Sequence, residues 1–323
     1  MKFYYYLIIN TNAGSGNGER IGKDIVCHFE ETSTEFEVFH THHAGEEVEI
    51  ANILARDKQI IEWNPEKKVE KYPLLIVLGG DGTLHNVLNA LDDYSPNIPV
   101  AYIPAGSGND FSRGVGIDRE DALNAFRQIQ RAKEPQAIHV LNYKEKNTGV
   151  TGIAVNNYGI GIDAAVVHAT NDSETKHFLN KYKMGSLAYV FSILKVLFTQ
   201  KSFRVELTLK DGVQHEFSKG FLATTTNHPY FGGGVRIAPT ADARGPVLDL
   251  ILVEKHNWFI LFRIIFLLFH GKHLSNKHVH HFQTDQLQLK TQNLQFAQID
   301  GESVDAQEFD LDFSVRERLF WFE

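Results

Sequence analysis

Apolar and polar positions along the first third of the chain keep changing period. Short apolar runs, YYYLIIN (4–10), EFEVFHT (35–41), YPLLIVL (72–78) and IPVAYIP (98–104), read as β-strands. Between and after them, apolar residues recur at three- and four-residue spacing over 18–31, 46–63, 84–91 and 118–133, which is the period of amphipathic helices. Alternating strands and helices predict a mostly parallel sheet with helices on both faces, and ligands bound at the carboxyl ends of the strands.

From about residue 136 the texture changes. TGIAVNNYGIG (151–161), FRVELTLKDG (203–212), GFLATTTN (220–227), LDLILVEK (248–255), HFQTDQLQLKT (281–291) and LQFAQIDGE (294–302) are dense in strand formers. These predict antiparallel strands, with the KDG at 210–212 as a hairpin turn. Helical patterns interrupt them at 181–200 and 258–270, and residues 309–322 carry a pattern that fits strand or helix. The expected organisation is an α/β lobe over 1–132 and a β-rich lobe over 133–305, with 306–323 able to return to the first lobe.

Composition narrows the function classes. A chain of 323 residues with 43% hydrophobic and 22% charged residues is an ordinary globular composition, long enough for two cores. A net charge of -8 without a basic arm argues against nucleic acid as a partner. The single cysteine, Cys27, excludes an internal disulfide and suits a reducing, cytoplasmic setting. The first apolar run passes directly into a glycine loop and reads as a strand rather than a secretory leader. The longest apolar run, WFILFRIIFLLF (258–269), contains Arg263 and is shorter than the roughly 20 residues that span a bilayer.

The candidate chemistry lies in glycine loops that follow three of the first strands. In LGGDGT, Gly79, Gly80 and Gly82 allow close backbone approach at a helix N-terminus, where N–H groups and the helix dipole favour phosphate oxygens. Thr83 adds a hydroxyl. Asp81 would repel a phosphate unless a cation stood between them, so it points to bound magnesium or a metal-held water; the plain alternative is an Asx turn. In AGSGNDFSRG, Asn109 and Asp110 suit ribose hydroxyls, a metal shell or the neighbouring loop, and Arg113 suits a phosphate. The first loop, NTNAGSGNG, lacks the Lys and Ser/Thr ending of a Walker A motif.

Six motifs carry a resemblance. IINTNAGSGNG, LGGDGTLHNVLNAL, IPAGSGNDFSRGVG, NYGIGIDAAV, NHPYFGGGVRIAPTA and IDGE stand in the order seen in the diacylglycerol kinase catalytic family, which includes soluble bacterial lipid kinases and is related to sphingosine and ceramide kinases. The resemblance implies a nucleotide lobe like that of NAD kinase, a β-rich second lobe and a site in the cleft between them. It implies an ATP site lined by Asn10, Thr11, Asn12, Ala13, Gly14, Thr41, Gly79, Gly80, Asp81, Gly82, Thr83, Leu84, His85 and Ser107. Asp81 would stand near the transferred phosphate and its Mg2+, and Glu302 would be the proton acceptor with Asp300 beside it. A carboxylate that takes the proton of an alcohol nucleophile is the chemistry such a transfer needs. The family's usual Asp-Gly pair after the GGGVRIAPTA stretch is replaced here by Gly245 and Pro246, so a structural magnesium site there is not expected.

The resulting expectation is an ATP-dependent lipid kinase acting on a hydroxyl of diacylglycerol or a similar membrane lipid. A soluble-substrate kinase of the NAD kinase type and a non-catalytic nucleotide or lipid sensor are its rivals. Residues 176–204 and 258–277 mix Lys and Arg with apolar runs, which suits reversible, peripheral contact with a membrane; core helices with solvated lysines are the plainer account. The clusters HTHH (40–43) and HVHH (278–281) read as structural or solvated rather than as metal ligands. A homodimer is allowed by the sequence and not required by it.

Overall fold

The computed structural model describes residues 2–67, 69–162, 164–165 and 199–323. Most of the helical pattern expected at 181–200, and most of the basic stretch 176–204, fall outside the described residues.

The first lobe is built from β1 (Lys2–Asn10), α1 (Ala13–Glu31), β2 (Phe36–Thr41), α2 (Glu46–Arg56), β3 (Lys71–Gly79), α3 (Asp81–Asp92), β4 (Val100–Pro104), α4 (Asp110–Val115) and α5 (Ala122–Arg131). Strands β2, β1, β3 and β4 lie side by side in that order, all parallel. The order reverses direction between β1 and β3, which opens a crevice at their carboxyl ends. Strand β3 is a continuous apolar run because both its faces are covered. Leu75 and Val77 face the core under α2 and α3, while Leu74, Ile76 and Leu78 face the core under α1 and α5.

Two helices are shorter than their periodicity predicts. Helix α2 stops at Arg56 rather than at residue 63, because Lys58 adopts a left-handed φ of 56° and Ile60 turns into the core. Helix α5 starts at Ala122, where the Asp121 side chain accepts from Leu123 N–H at 2.9 Å and Asn124 N–H at 3.1 Å.

The second lobe follows as β5 (Gln136–Glu145), β6 (Thr151–Ala154), β7 (Asn157–Gly161), β8 (Phe203–Leu209), β9 (Gln214–Thr226), β10 (Tyr230–Phe231), β11 (Val235–Arg236), β12 (Leu248–Glu254), α6 (Trp258–Phe269), β13 (Val279–Thr284), β14 (Gln286–Gln292), β15 (Gln295–Ile299), β16 (Glu302–Gln307) and β17 (Asp310–Phe320). Its strand pairs are antiparallel, as expected. Three of its features differ from the sequence reading. The segment 136–145 is a strand that the texture did not announce. The run 151–161 breaks into β6 and β7, and the run 281–291 breaks at Asp285 into β13 and β14, which pair with different neighbours.

Strand β17 joins the lobes. It runs antiparallel to β5 and β14, and at Phe320 it meets Val100 of β4 in parallel, so that one sheet continues from lobe to lobe. The next residue, Trp321, is fully buried among first-lobe aromatics, edge-on to Trp63 at 5.0 Å and to Phe3 at 5.2 Å. Truncating such a ring costs about 3–5 kcal/mol. Arg316 and Arg318 reach Asp92 at the end of α3 at 2.5 and 3.2 Å. No described helix is long and apolar enough to cross a membrane.

Candidate active site

The loops after β1, β3 and β4 touch one another through backbone. Gly14, Ser15 and Gly16 hold φ values of 57°, 60° and 93°, a left-handed run that turns the chain before the regular part of α1 begins. A methyl group on Gly14 would strike the carbonyl of Ala105, and one on Gly106 would lie 2.6 Å from the Gly80 Cα. Side chains can be accommodated at neither point. Asn10 ties two loops together: its Nδ2 donates to Thr83 Oγ1 at 2.8 Å, and its Oδ1 accepts from Asn12 N–H at 3.1 Å. Thr11 donates to the carbonyl of Thr41 at 3.1 Å. Asn10, Thr11, Asn12, Ala13, Gly14, Thr41, Gly79, Gly80 and Thr83 therefore gather at one edge of the sheet. Leu84 is different, being fully buried in the core between α3 and the sheet.

Asp81 opens α3 and reaches across to α4. Its carboxylate accepts from the N–H groups of Asp110 at 2.9 Å and Phe111 at 3.3 Å, the first donors of a helix whose own N-cap, Asn109, makes no side-chain cap. Burial pushes the Asp81 carboxyl up to about 6; the Asp110 N–H opposes this, while the Asp110 and Asp300 carboxylates add to it. Asn109 spends both ends of its amide within its own loop, accepting from Gly106 N–H at 2.9 Å and donating to Gly106 O at 2.8 Å. Its amide thus builds its own loop, a role outside the ribose, metal-shell and neighbouring-loop roles expected from sequence.

Asp110 is buried and only partly satisfied. Its Oδ2 accepts from Gly233 N–H at 2.8 Å, a contact between the lobes. Among the described residues its Oδ1 has no hydrogen-bond partner; it stands 3.5 Å from Arg113 Nε, which also lacks one. Arg113 lies over the Tyr230 ring at 5.5 Å and under Gly234. Gly232, Gly233 and Gly234 all have positive φ, which lets the β10–β11 hairpin fold tightly over α4. His228, fully buried beneath it, donates from Nε2 to Phe111 O at 3.3 Å while its Nδ1 accepts from Tyr230 N–H at 3.2 Å. Burial lowers the pKa of this ring, consistent with the neutral form that such a pairing needs.

The second lobe delivers a carboxylate on a tight hairpin. Asp300 and Gly301 link β15 to β16 with φ values of 52° and 92°, the two-residue turn that an Asp-Gly pair favours. Asp300 faces inward and is saturated. It accepts from Val155, Asn156 and Asn157 N–H at 2.7, 2.8 and 3.0 Å and pairs with His85 Nδ1 at 2.8 Å. Those three amides explain the break between β6 and β7, since they turn toward a carboxylate instead of a neighbouring strand. One turn beyond His85, Asn89 accepts from Ile153 N–H at 2.9 Å and donates to Ile153 O at 3.0 Å, so one face of α3 grips the second lobe twice.

Glu302, next in the hairpin, is exposed; a methyl group on Gly82 would lie 3.4 Å from its Oε1. The turn thus sets one carboxylate to hold the lobes and another beside the first turn of α3. Gly108 and Asp81 are also close, 3.5 Å from Gly108's would-be methyl to Asp81 Oδ2, and Ser107 stands exposed in the same loop. Gly233, His228, Asn89 and the 155–157 amides were not assigned a role from sequence. The three consecutive glycines were the available signal for the first; Asn89, His228 and Asn157 lie inside the quoted motifs, but nothing in those motifs announces their contacts.

The donor set suits a magnesium nucleotide. No three His, Cys, Asp or Glu side chains form a ready cage among the described residues. Magnesium, however, commonly uses one or two carboxylates together with phosphate oxygens, and Asp81 with the unsatisfied Asp110 Oδ1 meets that need.

Comparison with known proteins places both lobes in families. Residues 4–143 match the diacylglycerol kinase catalytic domain, and residues 157–312 match the YegS C-terminal NAD kinase beta sandwich-like domain. The chain is 31% identical over 301 residues to the Bacillus subtilis protein named "Putative lipid kinase YtlR", with 93% of each chain covered. It is 26% identical over 239 residues to a protein of the same organism named "Diacylglycerol kinase", with 73% of each covered. Its fold is similar to the crystal structure of "a putative diacylglycerol kinase" from Bacillus anthracis, with a TM-score of 0.73 at 22% identity, covering 100% of this chain and 96% of that one.

Proposed function

The chain belongs to the diacylglycerol kinase catalytic domain family, and on that premise we propose that it is an ATP-dependent lipid kinase that transfers the γ-phosphoryl group to a hydroxyl of diacylglycerol or a similar membrane lipid. The observation that carries this reading is the approach of Glu302, on the second lobe, to Gly82 in the first turn of α3. A carboxylate of the second lobe then stands beside the N-terminus of a first-lobe helix.

The loops after β1, β3 and β4 bind the triphosphate through main-chain N–H groups, which the glycines leave accessible. Asp81 and Asp110 are the residues that would hold magnesium, which would supply charge neutralisation at the transferred phosphoryl group. Glu302 takes the proton of the lipid hydroxyl as its oxygen bonds to phosphorus. Asp300 and His85 keep the hairpin in place against α3, so that the Glu302 carboxylate is already positioned when the lipid arrives. Acting on lipid from the cytoplasmic side, the protein meets its substrate by reversible membrane contact.

The test is transfer from γ-labelled ATP with magnesium to a panel of lipids in mixed micelles, with NAD as a water-soluble arm. A labelled phospholipid that Glu302→Gln fails to make supports the proposal. Labelled NADP alone, or ATP binding without transfer to any acceptor, overturns it.

A further inference from the structure

Helix α6 buries one side and leaves the other bare. Leu261 and Ile264 pack against the second lobe, whereas Phe259, Phe262, Phe266 and Phe269 are 88%, 47%, 62% and 73% exposed. Their spacings of three, four and three residues place them on one face. A contiguous aromatic surface of this kind marks a contact that the described residues do not make.

The charges around that face select its occupant. From Lys255 to Thr284 the chain has no Asp or Glu, although its net charge is -8. Arg263, Lys272 and Lys277 within that stretch are exposed, and none enters an ion pair among the described residues. Two copies paired through this same face would oppose these cations to their own kind, while an anionic bilayer would attract them. A helix of 12 residues is also too short to span a bilayer but suits lying flat in its interface.

We propose that this face of α6 docks on an anionic lipid bilayer, with Phe259, Phe262, Phe266 and Phe269 among the acyl chains and Arg263, Lys272 and Lys277 at the headgroup phosphates. The inner side of the same helix connects to the site. Ile264 shares a buried cluster with Phe231 of β10, and the hairpin that β10 enters carries Gly233, whose N–H holds Asp110. Docking at α6 therefore sets the membrane behind the hairpin that covers α4. The proposal deepens the lipid-kinase reading, yet vesicle binding is measured without turnover, so the two can fail separately.

The experiment is sedimentation of the full chain with vesicles of phosphatidylcholine, alone or mixed with phosphatidylglycerol, in the absence of ATP. The chain is expected to sediment with the mixed vesicles and only weakly with the neutral ones. The double variant Phe259→Ser with Phe266→Ser should lose at least about tenfold in partitioning, and Arg263→Gln with Lys272→Gln should erase the preference for phosphatidylglycerol. Both variants should keep their thermal midpoint and their turnover of a dispersed short-chain diacylglycerol. Unchanged vesicle binding in the phenylalanine variant, or a wild-type dimer that the same variant dissociates, overturns the docking surface. Vesicle binding of the expected pattern without phosphorylation of any lipid leaves docking standing and overturns the kinase reading instead.

Discussion

The Asp300 carboxylate and the His85 ring, 215 positions apart in the chain, meet at 2.8 Å and latch the second lobe to α3. With three amides of 155–157 on the same carboxylate, every face of it is engaged, and its side chain is fully buried. Replacing it by Asn turns an amide group toward backbone donors. Asp300→Asn should therefore lose about 2–4 kcal/mol of stability, read as a lower urea midpoint, and turnover should fall with it as the hairpin releases Glu302.

Glu302 presents the opposite case. It is exposed and sits beside Gly82, so Glu302→Gln should leave stability within about 0.5 kcal/mol of wild type. The turnover number should fall by about 10²–10⁴-fold with little change in KM for ATP. Steady-state kinetics alongside thermal melts separate this outcome from that of Asp300→Asn.

Asp81 couples stability to pH with a definite sign. Its carboxyl is raised to about 6 in the folded chain, against about 3.9 when unfolded, so the folded state holds the proton more tightly and stability declines as pH rises through that window. Asn at this position cannot ionise. The stability of Asp81→Asn relative to wild type should shift in the variant's favour by up to about 3 kcal/mol between about pH 4 and pH 7, measured by unfolding in chelator without nucleotide. Phosphoryl transfer should be lost at every pH.

His228 acts in the other direction. Burial lowers its pKa below the ordinary 6.5, and the unfolded chain then takes up the proton first. Stability should be complete above about pH 6.5 and drop as pH falls further. His228→Asn should flatten that acid limb even if its stability at neutral pH is lower; urea melts at two pH values test this.

Leu84 stands in the glycine motif but belongs to the core. Leu84→Ala should cost about 2–5 kcal/mol while ATP affinity of the folded fraction stays unchanged, as titration calorimetry below the melting range would show.

The alternation of strand and helix periods, the glycine turns at strand ends and the antiparallel texture after residue 136 were enough to establish the fold class, because each depends on residues within a few positions of one another. The Asp-Gly pair of the last hairpin was equally legible, since a two-residue turn with positive φ is a local preference. Other features waited for packing. Residues 310–320 are compatible with strand or helix, and only the open edges of β5 and β14 make them a strand. TGIAVNNYGIG reads as one strand, and only a carboxylate nearly 150 residues away divides it. Asp81, read as a partner for a phosphate-bound cation, also caps a helix that its own surroundings do not announce. Hydrophobic period and turn chemistry are short-range and survive in a bare sequence. The choice of which distant donor satisfies a buried carboxylate is made when the two lobes close and exclude the water that would otherwise have served.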